Sequence, residues 1–230
     1  MTLEIKMSAV RGSRRLSGWA VIYVLAWLSG LAAGPSHLAG TLTASQLHAF
    51  YLESGGAALV QALLVHGAAG VALAGMALGL PRTATSQRLI VAATVAGLGA
   101  AILSLAQSAL AAVAALGAER LTAEGTLGLV HAIDRFDSLK LLLLAIFVAT
   151  VTALLRSRGF TPRWLTGSAA LLSPMLVAGA AAFLVSNQVL DTVLAGSLVL
   201  LLVWASVIAW TMRPRRTPSA PEILQSRPTA

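Results

Sequence analysis

The chain has 230 residues, of which 57% are hydrophobic and only 10% charged, against about a quarter charged in an ordinary soluble domain. So few charges cannot cover a soluble surface of this size, and long apolar runs point instead to a chain surrounded mostly by lipid. It holds no cysteine, which excludes disulfides, cysteine-ligated zinc or iron–sulfur sites, covalently attached haem and thiol nucleophiles.

Residues 1–16 are polar and basic and read as a cytoplasmic segment, loose over its first dozen residues, with Met7 as an alternative start. Six apolar segments follow, at 17–34, 56–80, 89–117, 138–155, 165–186 and 190–211. Each approaches or exceeds the roughly 20 residues that carry a helix across about 30 Å of hydrocarbon. The first, with "RGSRRLSGWAVIYVLAWLSGLAAG", resembles a secretory signal peptide, with a basic start and small residues at its end. Left uncleaved it completes an even set of helices, which is the reading adopted.

The connection after helix one carries His37, His48 and Glu53. Helix two contains Gln61 and His66, then Gly75 and Gly79 four residues apart. Helix three contains Ala93, Gly97 and Ala101 at the same spacing, and Ser104, Gln107 and Ser108 on one face. Small residues on one stripe let membrane helices approach closely, here within one bundle. "LTASQLHAFYLESGGAAL" after helix one and "LTAEGTLGLVHAIDRFDSLKLL" after helix three each begin Leu-Thr-Ala and run through a semi-polar stretch into an apolar one. Duplication of a helical hairpin and coincidence both account for this echo.

Helix five opens near Trp164 and carries Ser173-Pro174 at its middle, where proline removes a backbone hydrogen bond. Trp19, Trp164 and Trp210 lie near the cytoplasmic ends of their helices, where aromatic rings settle at the headgroup level, while Trp204 lies deeper and reads as packing. The tail 212–230 is rich in Pro, Ser and Arg and reads as disordered. The stretch "FTPRWLTGSAALL", Phe160–Leu172, resembles the opening of the fifth helix in an uncharacterised bacterial group of six-helix membrane proteins. The resemblance implies the helix plan and no activity, and helix three here lacks that group's buried Arg and Glu.

Charge sets the orientation. Thirteen of the sixteen Lys and Arg fall on the N-terminal segment, the second and fourth connections and the tail, while Arg120, Arg135 and Lys140 fall on the other side. Six of the eight acids, Glu53, Glu119, Glu124, Asp134, Asp137 and Asp191, share the side of that minority. Both termini are therefore expected in the cytoplasm, in an all-α bundle of six transmembrane helices spanning 17–211. The net charge of +8 reads as attraction to anionic lipid at the inner face of the cell membrane, not to nucleic acid, since the loops are too short to form a binding domain.

Two groups of residues are candidates for chemistry. At the mouth of helix four, "HAIDRFDSLK" places Asp134, Asp137 and Lys140 three apart on one slowly drifting stripe, with His131 just before them. Asp134 is expected to cap the helix, Asp137 to sit in its first turn, and Lys140 to pair with Asp137 or extend to water. The competing reading joins this stretch to the first outer connection as a ligand site. Deeper in, His66 and Gln107 lie at similar depths in helices two and three and are candidates to line a cavity or share a hydrogen bond. No histidine pair has metal-ligand spacing, and no second histidine at the depth of His66 suits a b-type haem, so neither metal nor cofactor is expected. All the acids are expected at or beyond the membrane surface. The leading functional expectation is a non-enzymatic sensor, regulatory or accessory membrane subunit, with a protein partner possible. The alternatives are a small-solute carrier or channel with its cavity near His66 and Gln107, and an enzyme acting at the outer mouth through His131 with Asp134 or Asp137.

Overall fold

A computed structural model describes residues 2–34, 42–80, 87–157, 162–185 and 187–211, with side chains from Leu16 onward. His37, Arg82 and the tail expected to be disordered lie outside the described residues. The elements are helical throughout: α1 (Thr2–Ala33), α2 (Ala44–Leu78), α3 (Gln87–Leu116), α4 (Ala123–Arg156), α5 (Arg163–Ala182) and α6 (Gln188–Thr211). All six are long and apolar enough to cross a membrane, the plan of a multi-pass membrane protein. The first residues, expected to be loose, belong to the α1 helix from Thr2 on.

Helices α2 and α4 begin well before the apolar runs that announced them, at Ala44 and Ala123. The stretches read as outer connections are helix, and the local reason is capping. Thr43 accepts from the backbone N–H of Gln46, while the Gln46 side chain accepts from the Thr43 backbone N–H, a reciprocal capping box. Thr122 accepts from the N–H of Gly125 in the equivalent place. The two Leu-Thr-Ala segments thus start helices of 35 and 34 residues.

Neighbours in sequence pack as neighbours in space, and α1 closes on α6. The Ser17 hydroxyl donates to the Ala209 carbonyl, which places both ends of the bundle's chain on one side, the terminal end. Helix α4 is the most buried of the six and packs along α3 and α5, with α2 crossing it at the far end. The core fills the terminal half. There Phe147 and Trp204 meet edge to face, and the Trp204 indole N–H donates to Thr152 at 3.1 Å, which satisfies its polar atom inside the core. Glycines set the close approaches: a Cβ on Gly75 would lie 2.3 Å from the Trp19 ring, and one on Gly97 2.7 Å from Ala77. The Gly75 and Gly97 stripes thus serve packing within the chain. Trp19 is held in that groove, while Trp164 and Trp210 are exposed near the terminal end.

Toward the far end the outer helices part. At Gly30 and Gly34, α1 leans on Val65 and Gln61 of α2, and Gln61 donates to the Gly34 carbonyl at 3.2 Å. There α6 leans the other way, with Leu194 and Ser197 against Gly179 of α5. The space between them is not filled.

Candidate functional site

A cavity of about 530 Å³ occupies that space, within the range typical of small-molecule sites. Trp27 and Leu31 of α1 and Leu198, Val199 and Leu202 of α6 form its side walls. Its back comes from α2 and α4, and Phe183 closes part of the far end. The polar groups facing it are Tyr51, Gln61, His66, Asp134, Asp137, Lys140 and Asp191.

Lys140 stands at the centre of a connected polar group. It is 4% exposed, and its ammonium lies some four and a half turns from Arg156, or about 24 Å along α4. Its Nζ is ion-paired with Asp137 one turn earlier. It donates to Gln107 Oε1 of α3 at 2.9 Å and approaches His66 Nδ1 of α2 at 3.3 Å. Gln107 is fully buried; its Nε2 donates to the Ile133 carbonyl at 3.0 Å, and its amide lies beside the Asp137 carboxylate. A buried charge is tolerable only when paired and hydrogen-bonded, and here three helices supply the partners.

This geometry corrects the reading of the opening turn of helix four. Asp134 does not cap α4 and Asp137 is not in its first turn, because the helix starts more than ten residues earlier at Thr122. Lys140 does not reach for water; it turns inward. Asp137 sits inside the bundle and not at its surface, so the expectation that every acid lies at or beyond the membrane edge fails there. Gln107 and His66 do come together, through Lys140, but only His66 lines the cavity while Gln107 supports the lysine from behind. His131 is exposed and does not line the cavity, which leaves the expected acid–base pairing with Asp134 or Asp137 unassembled. His48 is equally separate: its Nδ1 lies 3.0 Å from the Thr126 hydroxyl, joining the two helix extensions. Ser104 and Ser108, expected to share a face with Gln107, are taken up in packing against Gly70 and Gly67 of α2.

Tyr51 and Asp191 were not among the expected site residues; Asp191, an acid at the start of an apolar helix, carried a signal in the sequence, while Tyr51 lies in a semi-polar stretch with none. His66 lies in a π-helical segment, Leu63–Ala68, set within α2. The wider turn changes the angular register of the helix, and such segments are frequent at functional sites. Among the described residues, no three His, Asp or Glu side chains gather closely enough to hold a metal ion.

The arrangement is a neutral, fully hydrogen-bonded ion pair at the floor of an apolar and aromatic chamber. It can receive a small organic molecule and orient it by a few polar groups. No family model matches the chain, and neither a curated protein nor a solved structure does, so the reading of this site rests on its own geometry.

Proposed function

We propose that this protein binds a small organic molecule inside the membrane, in the chamber over Lys140, and serves as a non-enzymatic receptor or accessory subunit. The observation that supports this most is the buried Lys140–Asp137–His66–Gln107 group opening on a cavity of about 530 Å³. A protein that needed only packing could fill the space with apolar side chains, since a buried ion pair rarely adds stability over a hydrophobic equivalent. A second reading is a carrier for the same molecule. The π-helical segment at His66 and Pro174 within α5 favour it, as places where a helix can bend.

The distribution of basic residues supports cytoplasmic termini and the plasma membrane of a bacterium, with anionic lipid at the terminal end. The far end, where the chamber lies, then faces outward.

The test is a Leu198→Trp variant, which fills the chamber from its α6 wall without touching the Lys140 group. Thermal unfolding in mild detergent is followed against a panel of small metabolites and membrane lipids. Wild type is expected to be stabilised by at least one compound and the variant by none. A panel that shifts both proteins equally, or neither, sinks the reading. Uptake into proteoliposomes then separates carrier from receptor.

A further inference from the structure

The walls of the chamber say which kind of molecule enters it, given the binding role proposed above. Three features bear on this. The first is the direction of the opening. Helices α1 and α6 touch near the terminal end and lean on different neighbours at the far end, so the gap between them is a side opening. Its edges are apolar and exposed, Leu31 at 47% and Val199 at 64%. A side opening with such edges in a membrane-spanning bundle meets acyl chains, not water.

The second is the free hydrogen bond. Lys140, paired with Asp137, is an ammonium with three donors and no acceptor. Its contact with His66 therefore runs from Nζ–H to Nδ1, which puts the proton of a neutral imidazole on Nε2. Among the described residues Nε2–H has no partner, and His66 lines the chamber. Lys140 itself has none to spare: Asp137, Gln107 and His66 take its donors. The floor thus offers a hydrogen-bond donor and no unpaired cation.

The third is the charge of the rim. Asp134 of α4 and Asp191 of α6 both line the chamber, and neither carboxylate has a hydrogen-bond or ion-pair partner among the described residues. An anionic headgroup would meet two carboxylates and no free positive charge, an arrangement that rejects it.

We propose that the ligand is an uncharged, membrane-dissolved amphiphile that enters sideways between α1 and α6 and presents a carbonyl oxygen to His66 Nε2–H. Its apolar tail lies between Trp27, Leu31, Leu198 and Leu202. Isoprenoid quinones and neutral acyl esters share this chemistry, whereas phospholipids with anionic heads do not.

The experiment is lipid extraction and mass spectrometry of the full-length protein purified from its own membranes in mild detergent. Binding back of ubiquinone, menaquinone, diacylglycerol and phosphatidylglycerol is measured in the same detergent. Wild type, His66→Leu, His66→Gln and Leu198→Trp are compared. The expected result is retention of a quinone or a neutral ester by wild type, with affinity about tenfold lower in His66→Leu, the effect of one hydrogen bond. His66→Gln, which keeps an N–H donor, retains binding, a rescue that a merely structural histidine would not show. Which lipid binds back distinguishes the two sources. Phosphatidylglycerol held as tightly as the neutral lipids overturns the inference. A water-soluble ligand lost in Leu198→Trp also overturns it, while leaving the binding role intact. If nothing binds wild type at all, both fall together.

Discussion

The ammonium of Lys140 and the carboxamide of Gln107 face each other across α3 and α4 at 2.9 Å, and the same amide donates to the Ile133 carbonyl at 3.0 Å. Gln107 is a bridge that holds a charged side chain to a neighbouring backbone. Gln107→Leu removes both bonds and leaves one ammonium donor unmatched, while the Ile133 carbonyl keeps its bond within α4. The expected cost is about 1–3 kcal/mol for the buried donor left unsatisfied, read as a lowered unfolding temperature in detergent. An unchanged transition would show that Lys140 finds another acceptor.

The ion pair of Lys140 and Asp137 separates charge effects from packing effects. Lys140→Met or Asp137→Asn alone strands one charge in the bundle, and breaking a buried pair in this way costs about 3–5 kcal/mol. The double variant removes both charges and is expected to lose far less than the two single costs combined. Unfolding of all four proteins gives the coupling directly. Simple additivity would mean that the two side chains act independently.

Gly75 receives the indole of Trp19, and a methyl group there would lie 2.3 Å from the ring. Gly75→Ala is expected to destabilise the bundle by about 1–3 kcal/mol through overpacking. A second change, Trp19→Leu, should restore part of that loss. If Gly75→Ala unfolds at the wild-type temperature, α1 and α2 do not meet at this distance.

The helix extensions are open to a cap test. Thr122→Ala removes the side-chain oxygen that receives the Gly125 N–H, at a cost of about 0.5–2 kcal/mol. Hydrogen exchange should then rise at residues 123–127 while the amides around Val148 keep their protection. Fast exchange at 123–127 already in the wild type would mean that α4 starts later.

Because the chain lacks cysteine, single introduced thiols report topology cleanly. Cysteine at Ser45, exposed at the start of α2, is expected to react with a membrane-impermeant reagent added outside intact cells. Cysteine at Ser86, between Arg82 and the start of α3 at Gln87, is expected to react only after lysis. The reverse pattern would invert the proposed orientation.

Much of the plan was legible from residues alone. The apolar runs marked six helices because each had to satisfy its backbone internally over the width of a bilayer. The stripes at Gly75 and Gly97 foretold close packing, and the depth of Trp204 foretold its place in the core. The first parts of α2 and α4 were misread as loops because hydropathy marks only apolar runs, and these stretches mix polar with apolar residues. Their Leu-Thr-Ala starts, with Gln46 three residues after Thr43, were the available sign.

The site followed the same division. His66, Gln107, Asp137 and Lys140 could each be named as polar residues in or beside apolar helix, and spacing put Asp137 and Lys140 on one face. Spacing within one helix cannot say whether that face meets water, lipid or another helix. That was decided when α4 started at Thr122 and placed Lys140 deep in the bundle, beside α2 and α3. What the residues determined by themselves was the number of helices and the bias of charge between their two ends, because hydration of charge and burial of apolar surface act locally along the chain. What only the tertiary structure decided was the inward turn of Lys140 and the chamber beside it. The first depends on α2 and α3 meeting α4, through contacts 74 and 33 positions apart, and the second on α1 and α6 leaning on different neighbours.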